Sequence, residues 1–176
     1  YYGTKIIEDF EKIGANTKYL EVKENHQTSS SFIIANMSNG SRTIITSKKD
    51  PIRKLNQRVP EKADLILVDG EHPETADEVL DNNKDAISII DAGRLNEDTK
   101  RLGKKVKYLV CSKEFAEKFS GKTIDINNKD LLIEIYEKLK SYFKNTVIIT
   151  LEAAGSFTEI NGKYKIIPSI KVVAKD

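Results

Sequence analysis

Four short stretches carry the residue types best suited to chemistry: Asp69 with Gly70, Asp91 to Arg94, Cys111 to Glu114, and Thr150 to Gly155. Each follows an apolar run of the kind that makes a buried strand. Ligands of open parallel sheets collect beyond the carboxyl ends of such strands. Carboxylates grouped there could hold Mg2+ through waters, which suits phosphate transfer. The same residues also have a plain use, because polar groups end every buried strand and Asp and Ser cap the helices that follow. On spacing alone the plain use is the better account.

The stretch Thr150-Leu151-Glu152-Ala153-Ala154-Gly155 runs from a strand into small residues, which let backbone amides approach an anion. It has one glycine and no Lys-Ser or Lys-Thr pair of the P-loop kind, so unaided it reads as an ordinary loop before a hairpin. Arg42 follows a hairpin signal and could point toward an anion, although most hairpin arginines are simply solvated. His26 and His72 lie far apart in polar stretches, in no metal-ligand or triad spacing. Cys111 is the single cysteine, so no intrachain disulfide is available, and its apolar neighbours make it a buried hydrophobe before a nucleophile.

Elements must hold these residues in place, and 176 residues are enough for one α/β domain with a core. The 29 basic and 27 acidic side chains leave a formal charge of +2, with Lys and Glu alternating along helix faces rather than forming a basic stripe. Nucleic acid is therefore not an expected partner. No apolar run is long enough to span a membrane and no signal-peptide pattern is present, which makes the cytoplasm the default location.

Residues 4–13 place Ile6, Ile7, Phe10 and Ile13 at helical spacing, with Gly14 as a stop. Residues 19–22 read as a short strand and 30–37 as a second, which Asn39-Gly40 turns into a third at 41–46. Residues 48–62 form a polar connector containing Pro51 and Pro60. Apolar strands then come at 64–68, 86–90, 106–110 and 147–151. Between them lie a helix opened by Pro73, helices capped by Asn96 and Ser112, and a strongly amphipathic one through Leu132, Ile135, Tyr136 and Leu139. A hairpin around Asn161-Gly162 and a final strand at 170–174 complete the chain. Such alternation of uniformly apolar strands with helices implies a parallel sheet covered on both faces, with a small β appendage.

Taken in order, these segments resemble the ribokinase-like carbohydrate kinases, the PfkB family. Gly3-Thr4 through Gly14-Ala15-Asn16-Thr17 is similar to that family's helix and its G-V-x-T entry into the lid. Residues 31–34, Asn39-Gly40 and 41–44 resemble its lid strands, and residues 64–70 and 87–94 its V-D-G and D-x-G-R strands. Residues 108–114 fall where the family has N-x-x-E, and 147–155 where it has the T-L-G-x-x-G nucleotide loop. The pattern is most similar to ketohexokinase-like members, which also lack the asparagine of N-x-x-E.

The resemblance implies an α/β fold: a three-layer α/β/α core with a mostly parallel sheet, built from residues 1–16 and 47–176, plus a β-strand lid at 17–46. It implies ATP-dependent phosphorylation of a small-molecule sugar with Mg2+. Arg42 would approach substrate or the transferred phosphate, Glu114 would organise Mg2+ through water, and Thr150, Glu152 and Gly155 would line the ATP site. Two departures stand out: Cys111 replaces the motif's asparagine, and Glu152 its loop's middle glycine. The family's D-T-x-G-A-G-D segment, with the general base, would lie beyond Asp176. The resemblance thus implies an internal fragment, incomplete at both ends and inactive alone. An exposed lid edge admits a homodimer through the lid strands. A nucleoside or other small alcohol as acceptor, and a non-catalytic α/β binding module, are the rival readings.

Overall fold

Two units make up the chain, residues 1–60 and 61–176, and the computed structural model describes residues 1–38, 41–47, 52–56, 59–60 and 62–171. In the first unit, the helical spacing of Ile6, Ile7 and Phe10 becomes α1 (Tyr2–Lys12). Gly14, at φ +73°, ends it, and the Ala15 N–H reaches back to the Phe10 carbonyl at 2.9 Å. Strand β1 (Ser30–Ala35) pairs antiparallel with β2 (Arg42–Ser47), in a register from Ser30↔Ser47 to Ala35↔Arg42. The Asn39-Gly40 hairpin lies outside the described residues. Residues 19–22 are not a strand. They form a turn and a stretch without regular structure, and Glu21 accepts from the Asn56 backbone and side chain instead of joining a ladder.

In the second unit the period changes to strand, helix, strand. Strands β3 (Leu65–Val68), β4 (Ile87–Ala92), β5 (Tyr108–Ser112) and β6 (Thr146–Thr150) pair parallel in chain order. Strands β7 (Ser156–Ile160) and β8 (Lys163–Ile167) then add antiparallel, giving six strands in the order β3 to β8. Asn161 and Gly162, both at positive φ, make the tight turn between β7 and β8. The described part of 170–174 is in no strand; residues 172–174 lie outside the described residues.

Helices α2 (Pro73–Asn82), α3 (Glu97–Gly103), α4 (Lys113–Ser120) and α5 (Lys129–Phe143) join the strands. Asn96 opens α3 with a capping box, accepting from the Thr99 N–H at 2.8 Å while its own N–H donates to the Thr99 hydroxyl at 3.0 Å. Leu80, Leu102, Phe115, Leu132, Ile135, Tyr136 and Leu139 from these helices form one core with Ile66, Ile90, Leu109, Val147 and Ile149 from the strands. This is the α/β fold expected from the sequence, a mixed and mostly parallel sheet flanked by helices, consistent with a three-layer core.

The strands are apolar on both sides, but they are not equally buried on both. Alternation sends Ile66, Ile90, Leu109 and Ile149 into the core, whereas Leu65 and Leu67 on the opposite face are 60% and 66% exposed.

Candidate functional site

The four stretches singled out in the sequence all lie in the second unit, at the carboxyl ends of β3, β4, β5 and β6. Their uses differ. Asp69 accepts from the Glu71 N–H at 3.0 Å and so folds the turn after β3, with Gly70 at φ +84°. That is the plain use foreseen for a strand-end aspartate. Asp91, near the end of β4, is exposed beside its register partner Val110.

The ends of β5 and β6 are tied together. The register sets Ser112 beside Thr150, and the Thr150 hydroxyl donates to the Cys111 carbonyl at 3.3 Å. Ser112 caps α4 by accepting from the Phe115 N–H at 3.0 Å, and its hydroxyl donates to the Gly93 carbonyl at 3.0 Å. One serine thus links the loop after β4 to the start of α4. Glu114 follows in the first turn of α4, where a carboxylate is favoured by the helix dipole. Lys118, one turn on, donates to Glu114, and this contact, with the Lys118 charge and then Arg94, holds the Glu114 carboxyl below its usual range. Arg94 and Lys118 therefore belong to the surroundings of Glu114. The i,i+4 spacing of Lys118 was visible in the sequence, whereas the approach of Arg94 needs the β4–β5 pairing.

Cys111, set beside Ala92, is 1% exposed, and burial pushes its thiol up to about 12. It is a core side chain, as its apolar context indicated, and not a surface nucleophile.

After β6 the chain makes a single 3-10 turn (Glu152–Ala154). The Leu151 N–H bonds the Gly155 carbonyl at 2.7 Å, the Ala154 N–H the Leu151 carbonyl at 3.0 Å, and the Gly155 N–H the Glu152 carbonyl at 3.1 Å. The N–H groups of Glu152 and Ala153 take no backbone carbonyl among the described residues. Such neighbouring free amides in a left-handed turn form a small anion-binding concavity. Gly155 has φ +103°, and a Cβ there would clash with the Ile167 carbonyl oxygen. Glu152 also has a left-handed backbone, φ +53°, with an exposed side chain.

The structure therefore gathers Arg94, Ser112, Glu114, Thr150 and the 152–155 loop at one edge of one sheet. Arg42 heads β2 in the other unit and is exposed. The donor set also bears on a metal. Among the described residues no three His, Cys, Asp or Glu side chains cluster as a cage. A lone carboxylate such as Glu114 suits an ion that keeps waters and leans on a substrate's phosphates, which is the habit of Mg2+. No helix among the described residues is long and apolar enough to cross a membrane.

Comparison with known proteins bears on the family and the fold. The model of the pfkB family carbohydrate kinases matches residues 1–176. Ribokinase from Thermotoga maritima superposes with a TM-score of 0.69 at 22% identity, over 99% of this chain and 58% of that one. Ribokinase from Giardia lamblia gives 0.72 at 14%, over 99% and 57%. A Burkholderia thailandensis nucleoside kinase, solved with inosine, gives 0.64 at 12%, over 95% and 54%. The chain thus spans a little over half the length of these structures, and at such identities they speak for the fold. No curated protein matches. The family match corrects the narrower identification drawn from the sequence. It holds at the level of the family over residues 1–176, and it supports neither the ketohexokinase-like assignment nor the internal-fragment reading.

Proposed function

Starting from a chain that belongs to the pfkB family of carbohydrate kinases, we propose that the protein transfers the γ-phosphate of ATP to a hydroxyl of a small sugar. The observation that carries this is the 150–155 loop. It stands at the carboxyl edge of the parallel sheet, presents two free amides, and packs its glycine where any Cβ would clash with the Ile167 carbonyl oxygen.

In the reaction the sugar hydroxyl gives up its proton to solvent, its oxygen forms a bond to the γ-phosphorus, the bond from that phosphorus to the β–γ bridging oxygen breaks, and ADP leaves. Thr150, Glu152 and Gly155 line the nucleotide's place, and the free amides of 152 and 153 face its phosphates. Arg42, on the lid of residues 17–46, meets substrate or the phosphate in transit and offsets its charge. Glu114 would hold Mg2+ through water, with Lys118 and Arg94 setting its carboxylate. When bound, Mg2+ supplies charge neutralisation on the phosphates. Residues 1–176 contain no G-A-G-D run, and the role of base is given to none of them. The lid strands also pair two copies into a homodimer, and the cytoplasm, where ATP is abundant, is the place of action.

Radiolabelled ATP with Mg2+ and a panel of pentoses and hexoses tests the reading on the whole protein, alongside calorimetric binding of Mg2+-ADP. Label in a sugar phosphate is the expected result. Transfer only to nucleosides would move the acceptor to the class seen in the Burkholderia structure. Nucleotide binding without transfer to any alcohol would favour a binding module, and no nucleotide binding at all would end the kinase reading.

A further inference from the structure

Glu152 breaks a local rule with no visible return. Among the described residues, the non-glycine ones with left-handed backbone are Asn25, His72, Lys144, Glu152 and Asn161. Asparagine tolerates that conformation, and Lys144 closes α5 with it. Glu152 neither belongs to the tolerant type nor ends a long helix. Its carboxylate makes no hydrogen bond or ion pair among the described residues, so no contact of the side chain offsets the conformation. A residue kept against its backbone preference, in a loop at the ligand edge of a sheet, points to a role outside folding. Its position is specific too. The carboxylate is attached to one of the two residues whose amides are free, so a negative charge sits beside a concavity that would otherwise attract any anion.

We propose that Glu152 is a specificity-determining residue that discriminates between charge states of the nucleotide, disfavouring metal-free nucleotide and admitting its magnesium complex. The inference rests on the 150–155 loop being the nucleotide loop. Free ADP carries about three negative charges and its Mg2+ complex about one. Against one carboxylate roughly 7 Å away, in solvent-like surroundings with physiological salt, the repulsion lowers affinity roughly three- to tenfold for free ADP and less than about twofold for the complex. The carboxylate therefore widens the gap between productive and unproductive nucleotide without adding any contact to the productive one. A glycine at this position would leave the two amides open to free nucleotide and to inorganic phosphate alike.

Calorimetric titration of ADP, once with EDTA and once with excess Mg2+, tests this on the unaltered protein, Glu152→Gln and Glu152→Gly. Glu152→Gln keeps the side-chain size and the backbone conformation and removes only the charge. The expected result is a roughly three- to tenfold gain in affinity for metal-free ADP in both variants, less than about twofold for the Mg2+ complex, and a gain that shrinks as salt is raised. Equal gains with and without Mg2+, no gain without it, or a gain confined to Glu152→Gly would overturn the inference while leaving the nucleotide loop in place. Failure of all three proteins to bind either form would remove the nucleotide-loop reading, and this inference with it.

Discussion

At the scale of single residues, the site and the core place opposite demands on their members. Gly155 was legible from its motif, but for an incomplete reason. Small residues suggested room for an anion, whereas the structure shows the β8 end, at the Ile167 carbonyl, occupying the space a Cβ would need. With φ at +103°, Gly155→Ala meets both a steric and a backbone penalty, and a loss of about 2–4 kcal/mol is expected in urea denaturation. Mg2+-ADP binding should weaken with it, since the loop must move to relieve the clash. Cys111 is the opposite case, fully legible as a buried hydrophobe and silent in chemistry. Desolvation lifts its thiol from 9.0 to about 12, so the unfolded chain loses this proton first. The thiol leaves stability unchanged well below pH 9, and its contribution falls as the pH rises through 9 toward 12. Denaturation curves across that range should show the fall in the unaltered protein and a smaller one in Cys111→Ala. A thiol reagent at pH 8 should label the folded protein only as fast as it opens.

The parallel strands and their helices were readable from the sequence because each carries its own period and its own caps. Asn96, Ser112 and Asn161-Gly162 do in the structure what their local chemistry dictates. Elements defined by a distant partner were not readable. Residues 19–22 have a strand-like composition, yet a strand exists only where a ladder accepts it, and Glu21 bonds to Asn56 instead. A second nonlocal device is Asn145, just after the left-handed Lys144 that ends α5. Its side-chain amide donates to the Gly103 carbonyl at 2.7 Å and to the Val106 carbonyl at 3.0 Å, fastening the exit of α3 and the approach to β5 to the start of β6. Asn145→Ala leaves both carbonyls unpaired in a part-buried place, for an expected loss of about 1–3 kcal/mol. Asn145→Asp should cost more, because an anionic acceptor then faces two carbonyls. Midpoints of urea unfolding for the two variants measure the order. Equal stability of Asp and Asn at this position would show that the side chain is not a donor there.

For the molecule as a whole, the informative pattern is apolar residues on surfaces that need only one apolar side. In the β1–β2 ribbon, Phe32, Ile34 and Ile45 share one face and Ile33 and Ile44 the other, all of them exposed. A two-stranded ribbon is barely stable in water by itself, and one apolar on both faces has more surface to cover than a single contact hides. The uniformly apolar run at 32–35 made this visible in the sequence. What lies against each face was not visible, because period-2 patterning names a face and never its occupant. The homodimer proposed through these strands accounts for one face and supplies partners for the ribbon edges. Ile33→Asp with Ile44→Asp charges one face only, leaving Phe32, Ile34 and Ile45 untouched. Sedimentation at micromolar concentration should show a dimer for the unaltered protein and a monomer for this variant, with circular dichroism unchanged. If the dimer survives that pair but Phe32→Asp with Ile45→Asp dissolves it, the opposite face of the ribbon is the one between subunits. A protein that sediments as a monomer before any substitution would exclude the lid-strand dimer altogether.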